Sequence, residues 1–257
     1  MRVTRAALAA GWIGPILFMV VAFVDGATRP GYNPWIDYVS HLSLAEGGWI
    51  ERANLVACGA CVIAFATAFR RIEPGSRDAS RGAASFATLG GALTLAGVIV
   101  GDPGRGYPPG APIEMHHTFL GTLHDVAGLI AIVAIVAAMI FVARYFAADR
   151  RGGTWTRYSV ASGAAFVAIA LAAAAITAAH GGSAVDQPVG ILQRIAIVVG
   201  WGWLALLARR CELDAVAARG AEIRRAVGIA RPPRRPAVVG GFDAARSARP
   251  LDIDAES

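Results

Sequence analysis

The chain has 257 residues, of which 56% are hydrophobic and only 16% charged. Soluble domains average about 45–50% apolar and about 25% charged residues, so this composition argues against an ordinary soluble enzyme. The formal net charge is +6, but most of the arginines flank apolar blocks, where membrane orientation is encoded. We therefore expect the lipid bilayer as the main partner and no nucleic acid.

Six apolar blocks predict six transmembrane helices, because about 20 apolar residues cross a hydrocarbon core about 30 Å thick. In chain order the predicted helices cover about 7–24, 49–69, 83–100, 118–143, 159–179 and 189–208. The first block is longer than the apolar part of a signal peptide and no convincing cleavage site follows it, so we expect a retained helix. The predicted fold is all-α, a polytopic transmembrane bundle over residues 1–210.

The arginines alternate between connections and so predict the orientation of the bundle. Arginines crowd the N-terminus and the second and fourth connections, whereas the first and third connections hold only Arg29 and Arg105. Because arginine is retained on the cytoplasmic side, both termini are predicted in the cytoplasm, with the first, third and fifth loops outside. The expected location is the cytoplasmic membrane of a bacterium.

Residues 211–257 form a predicted cytoplasmic tail rich in arginine. Residues 212–227 are typical of an amphipathic helix lying on an anionic leaflet. The Pro- and Arg-rich sequence that follows is typical of a disordered segment.

All five histidines fall on the predicted extracytoplasmic side or within about two helical turns of it, which indicates a polar site at that end. The catalytic candidates in this group are Ser40, Asp102, His117, His124 and Arg194. The binding candidates are Asp37, His41, Asn54 and Asp125. His124, Asp125 and Arg194 are predicted to lie about 10 Å below the surface, where ionisable groups need partners. Arg194 could pair with Asp125 or Asp102, and such a pair could equally serve helix packing alone.

Zinc or another divalent metal is a candidate cofactor, with His117, His124 and Asp102 as candidate ligands. The two histidines share a helix face but lie about 10.5 Å apart along the axis, so one of them would need to bend or a further ligand would have to complete the site. Alternatively, Ser40 or Ser43 could act as a nucleophile activated by a histidine. Cys58 and Cys61 lie in mid-membrane and are interpreted as small packing residues.

Several short motifs stand out along the chain: the segments 31–34 and 37–42 with Trp49 and Asn54, then 101–103, His116-His117, His124-Asp125 and Gln193-Arg194. Together these motifs resemble the domain-of-unknown-function 998 family of bacterial six-helix membrane proteins. The resemblance spans about residues 8–210. It implies a six-helix membrane fold and maps the family's polar signature to Ser40, Asn54, Asp102, His117, His124 and Arg194, but it implies no mechanism.

The polar cluster favours an enzyme that acts on a lipid or lipid-linked substrate at the outer leaflet, with His and Asp as acid–base groups and Arg194 stabilising an anion. The alternative is a non-catalytic membrane protein: a lipid or small-molecule binder, a transporter or an accessory subunit. A third hypothesis gives the buried polar groups a purely structural role.

Overall fold

The computed structural model describes residues 2–72, 75–113, 116–148, 152–180 and 186–226. These residues form six α-helices and one short 3₁₀ helix, Val39–Ser43, and no strand. The helices are α1 (Arg2–Thr28), α2 (Trp49–Ile72), α3 (Arg77–Val98), α4 (Phe119–Ala147), α5 (Gly153–Ala179) and α6 (Val189–Ala226). The all-helical class predicted from the sequence is therefore confirmed for this part of the chain.

Five of these helices, α1, α2, α4, α5 and α6, are long and apolar enough to cross a membrane. The protein is accordingly a multi-pass membrane protein. The sequence predicts a sixth crossing, but α3 falls short of the others because it begins with Arg77, Asp78 and Arg81 and is rich in Gly, Ser and Thr. Its buried face, which includes Phe86, Leu89 and Leu93, packs between α2 and α4.

The core is built around α6 and an aromatic cluster. The Trp203 side chain is fully buried; its ring centroid lies 6.0 Å from that of Phe86, and its Nε1 donates a hydrogen bond to Ser159 Oγ of α5 at 3.1 Å. Phe65 and Phe69 of α2 contact the same Phe86 ring. Aromatic rings thus connect α2, α3 and α6 in the half of the bundle away from the 3₁₀ helix.

The chain divides into two compact units, Met1–Ala217 and Ala218–Ser257. In the first unit, α6 continues past residue 210 without a break, whereas the sequence predicts a separate amphipathic helix over 212–227. Buried Glu212 joins this part of α6 to α1, because its carboxylate accepts a hydrogen bond from Trp12 Nε1 at 2.9 Å. Of the second unit, the structure describes only residues 218–226, the end of α6. The predicted disordered segment lies outside the described residues.

Candidate functional site

Two loops pack against each other at one end of the bundle, which we call the capped end. They are the 29–48 loop, which holds the 3₁₀ helix, and the 99–118 loop, described except at 114–115. The Tyr107 ring stacks parallel to the His41 ring with centroids 6.4 Å apart, and its edge meets Tyr32 at 5.4 Å. The Arg105 guanidinium lies over the Tyr38 ring, 5.1 Å from its centroid. The two loops therefore share one small aromatic core.

Arg194 of α6 fastens the 29–48 loop to the bundle. Its Nη1 donates to the carbonyl oxygens of Pro34, Asp37 and Gly190 at 2.7, 2.9 and 3.0 Å. Its Nη2 donates to the Tyr32 hydroxyl. Burial raises the pKa of that hydroxyl above its ordinary value, so Tyr32 stays protonated and donates in turn to the Tyr38 carbonyl at 3.0 Å.

These contacts overturn the predicted ion pairs. In the described part of the chain Arg194 pairs with neither Asp125 nor Asp102, because backbone carbonyl groups and Tyr32 take up its donors. A guanidinium bound in this way is a structural clamp. Its predicted role in stabilising an anionic substrate gains no support from this geometry.

Asp102 stabilises the start of α4. Its Oδ2 accepts from Thr118 N at 2.7 Å and its Oδ1 from Thr118 Oγ1 at 2.6 Å. Thr118 is itself the N-cap residue and accepts from Gly121 N. The carboxylate packs so closely that a Cβ at Gly121 would lie 1.9 Å from Asp102 Oδ2. A carboxylate here also complements the positive end of the helix dipole, which gives Asp102 a structural role. The predicted site residue His117 is exposed just before this cap.

Asp37 and His41 form a buried pair inside the 29–48 loop. Asp37 Oδ2 accepts from Asn33 N at 2.8 Å, and Asp37 Oδ1 lies 3.5 Å from His41 Nδ1, which is long for a hydrogen bond. The two side chains are 3% and 7% exposed. This pair belongs to the aromatic core of the loops.

A cavity of about 410 Å³ extends from the capped end into the bundle between α2, α3, α4, α5 and α6. Ligand pockets usually measure about 300–1,000 Å³. One end of this cavity, which we call the mouth, is lined by Tyr38, Ser40, Glu51, His124, Asp125 and Gln193. The rest is apolar and reaches Ile135 on α4 and Trp201 on α6. From His124 to Ile135 the helix rises about 16 Å at about 1.5 Å per residue, roughly half the thickness of a hydrocarbon core.

His124 is held in one tautomer at this mouth. Its Nδ1 lies 2.7 Å from the Ile99 carbonyl oxygen. Because a carbonyl oxygen can only accept, Nδ1 carries a proton, and in the neutral ring Nε2 then keeps a lone pair. Within the described ranges, Nε2 has no hydrogen-bond partner, so His124 can accept a proton or a hydrogen bond from a ligand.

Glu51, in the first turn of α2, places a carboxylate at the mouth. The residue is 0% exposed, yet it lines the cavity. Its Oε2 accepts from Asn54 Nδ2 at 3.1 Å, and the same nitrogen donates to the Phe18 carbonyl at 3.1 Å. The residues that the structure describes give Oε1 no hydrogen bond.

The structure thus brings together only some of the residues predicted from the sequence. Ser40, His124 and Asp125 line the mouth, and Asn54 stands behind it through Glu51. Five predicted site residues do not line the mouth: Asp102, Arg194, Asp37, His41 and His117. Three residues that do line it were not among the predicted site residues: Glu51, Tyr38 and Gln193. Glu51 and Asn54 are three residues apart, which puts both on one face of a helix, and this spacing is the sequence signal that could have revealed Glu51.

The predicted metal ligands do not form a donor set. Asp102 is occupied by Thr118, and His124 Nδ1 by Ile99. Across the described ranges, no three side chains of His, Cys, Asp or Glu are grouped so that they could hold a metal ion. The structure therefore gives no geometric support for a metal centre.

Comparison with known protein families gives a match over most of the chain. The model of the family described as "Protein of unknown function (DUF998)" matches residues 12–210. Searches of curated proteins and of solved structures found no match to the chain.

Proposed function

Because this chain belongs to the DUF998 family, whose description assigns no activity, we propose a function from the cavity: the protein binds an amphiphilic molecule, its alkyl chain between the helices and its polar head at the mouth. One observation carries this proposal, namely an apolar cleft about 16 Å long that ends in a cluster of polar side chains. A molecule that matches this pattern is apolar along most of its length and polar at one end.

The walls of the cavity suit an alkyl chain. α5 contributes Phe166 and Ala170, and α6 contributes Ala196 and Trp201. Most of the α5 surface faces outward and only about a tenth of its membrane-spanning window is buried inside the protein. An amphiphile dissolved in the bilayer would contact α5 directly, and entry beside this helix would keep its alkyl chain in the apolar phase.

We also propose six crossings, with α3 completing the bundle between α2 and α4, and both termini in the cytoplasm of a bacterium. The arginine distribution supports this orientation. It puts the mouth at the outer leaflet and residues 211–257 at the inner one. Reporter fusions at residue 110 and after residue 226 test it, because a cytoplasmic reporter at residue 110 would contradict the assignment.

Filling the cavity tests the binding proposal. Gly128 of α4 lines the cavity, and a Cβ built there meets nothing within 4 Å. A leucine side chain at this position therefore starts in open space and extends into the volume proposed for the ligand. Gly91→Leu is the matched control, because Gly91 is exposed, is equally unobstructed and does not line the cavity.

The purified protein is reconstituted with an amphiphile that carries a diazirine in mid-chain, and the labelled peptides are mapped. We expect labelling of residues 128–135 and 196–201, reduced about fivefold or more by Gly128→Leu and unchanged by Gly91→Leu. Labelling confined to the outward faces of the helices, or equal in both variants, would contradict the proposal.

A second candidate function is acid–base chemistry on the bound amphiphile, and the fixed tautomer of His124 favours it. Ser40 lines the same mouth as a candidate nucleophile. His124→Asn tests this candidate, because the Asn amide can still donate to the Ile99 carbonyl. If His124 is catalytic, the variant should bind amphiphile but fail to reverse the lipid change caused by deleting the gene. Full reversal by the variant would contradict a catalytic role and leave amphiphile binding as the proposed function.

A further inference from the structure

Glu51 is a buried acceptor at the mouth with unused capacity. Its carboxylate receives one hydrogen bond, from Asn54, and Oε1 receives none from the described residues. Removing a carboxylate from water is costly unless a cation or several donors replace the lost hydration. Since Glu51 lines the cavity, a molecule bound there is in a position to supply the hydrogen-bond donor or the positive charge that the protein does not provide to Oε1.

The guanidinium groups of Arg29 and Arg194 are committed elsewhere, and Arg105, whose guanidinium lies over the Tyr38 ring, does not line the cavity. Arg29 Nη2 forms an ion pair with Asp25 at 2.7 Å. Arg194 donates to three backbone carbonyl groups and to Tyr32. Neither lines the cavity. Their charges therefore do not offer an anionic head a direct contact at the mouth.

The mouth is rich in acceptors. Asp125 adds a second carboxylate, and His124 offers the Nε2 lone pair. When ionised, a carboxylate only accepts hydrogen bonds, so a phosphate or carboxylate head would meet repulsion here, whereas a cation bound beside Glu51 favours the ionised form of this buried group. A head with N–H donors and a positive charge would meet attraction from both carboxylates.

We infer that the ligand's head is a cationic hydrogen-bond donor, an ammonium or amidinium group that binds Glu51 Oε1 with Asp125 close by. This inference rests on the proposed function and names its ligand class. It replaces the anionic lipid head expected from Arg194 with a head of opposite charge.

Three amphiphiles with the same alkyl chain separate the contribution of the head group to the binding affinity from that of the alkyl chain: dodecylammonium, dodecanol and dodecanoate. Each is titrated calorimetrically into the protein in nanodiscs of zwitterionic lipid, and the heats from empty nanodiscs are subtracted. We expect dodecylammonium to bind about tenfold or more tightly than dodecanol, and dodecanoate to bind most weakly, as for a charge-assisted hydrogen bond in a buried site.

Glu51→Gln keeps the shape of the side chain and its hydrogen bond from Asn54. We expect it to reduce the preference for dodecylammonium over dodecanol to about twofold or less. Glu46→Gln is the matched control, because Glu46 is an exposed glutamate of the 29–48 loop that does not line the cavity. This control should keep the full preference.

The outcomes separate the two proposals. Absence of binding by all three amphiphiles contradicts the proposed function itself. Binding without a preference for the ammonium head, or a preference that survives Glu51→Gln, contradicts the cationic head alone. Should Glu51→Gln not fold, Asp125→Asn on the more exposed wall replaces it, and an unchanged preference in that variant counts against the inference.

Discussion

Two buried glutamates at opposite ends of the bundle differ in how their charge is compensated. Glu212 of α6 accepts from Trp12 Nε1 at 2.9 Å and from Arg209 Nη1 at 2.6 Å, and Arg5 Nε lies 3.5 Å away. Glu51, at the capped end, accepts only from Asn54 among the described residues. A buried carboxylate surrounded by donors is part of the framework, whereas one that faces a cavity with an unused oxygen is suited to a ligand.

The same contrast separates the other charged residues of the capped end. Arg194 and Asp102 form their hydrogen bonds to other groups of the protein. His124 and Asp125 instead line the cavity. Stability and binding should therefore depend on different residues. Three substitution experiments test that separation, in order of decreasing effect on the free energy of unfolding.

Arg194→Ala should give the largest loss, about 3 kcal/mol or more, because the Pro34, Asp37 and Gly190 carbonyl groups and the Tyr32 hydroxyl all lose the hydrogen bonds that Arg194 donates. Equilibrium unfolding by SDS in mixed micelles measures the change. Arg157→Ala, an exposed arginine of α5, is the control and should change stability by less than about 0.5 kcal/mol. Rescue of Arg194→Ala by Asp102→Asn or Asp125→Asn would revive the ion pair predicted from the sequence.

Glu212→Gln and Glu51→Gln test the two buried glutamates side by side. Glu212→Gln should cost about 1–2 kcal/mol, since an amide replaces a carboxylate that two donors bind and a third approaches. Glu51→Gln should leave the free energy of unfolding unchanged or raise it slightly, because an amide costs less to bury than a carboxyl group that receives a single hydrogen bond. The same SDS titration measures both. An equal loss in the two variants would mean that Glu51 is a framework residue too.

Asp102→Ala should cost about 1 kcal/mol, the usual value of a helix-capping carboxylate. Amphiphile binding should persist, since Asp102 does not line the cavity. His117→Ala, the exposed neighbour predicted to act with it, should change the free energy of unfolding by less than about 0.5 kcal/mol. Loss of binding in Asp102→Ala without loss of stability would restore Asp102 to the site.

The sequence predicts the helical class and the family well because both depend on local features. Apolar blocks specify long helices whatever their neighbours are, and the motifs of residues 31–42 and 101–103 lie within the segment that the family model matches. The sequence predicts α3 less well than the other helices, because arginines and small residues interrupt its apolar pattern. Its place in the bundle follows from packing against α2 and α4.

The site was harder to predict for a physical reason. Depth along a helix follows from residue number, so His124, Asp125 and Arg194 were expected at similar depths. Depth does not say which partner a side chain meets, and backbone carbonyl groups, which bind Arg194, are invisible in a sequence. Glu51 stands in the first turn of α2, where an acidic residue is ordinary; only the fold shows that it is buried beside a cavity.

An experimental density map of the protein in lipid nanodiscs, with dodecylammonium added, would show whether an amphiphile occupies the cavity. We expect elongated density along the α4 segment from His124 to Ile135, with its polar end within hydrogen-bond distance of Glu51. Side chains from α5 and α6 filling that space, or lipid density confined to the outer surface of the helices, would contradict amphiphile binding in the cavity.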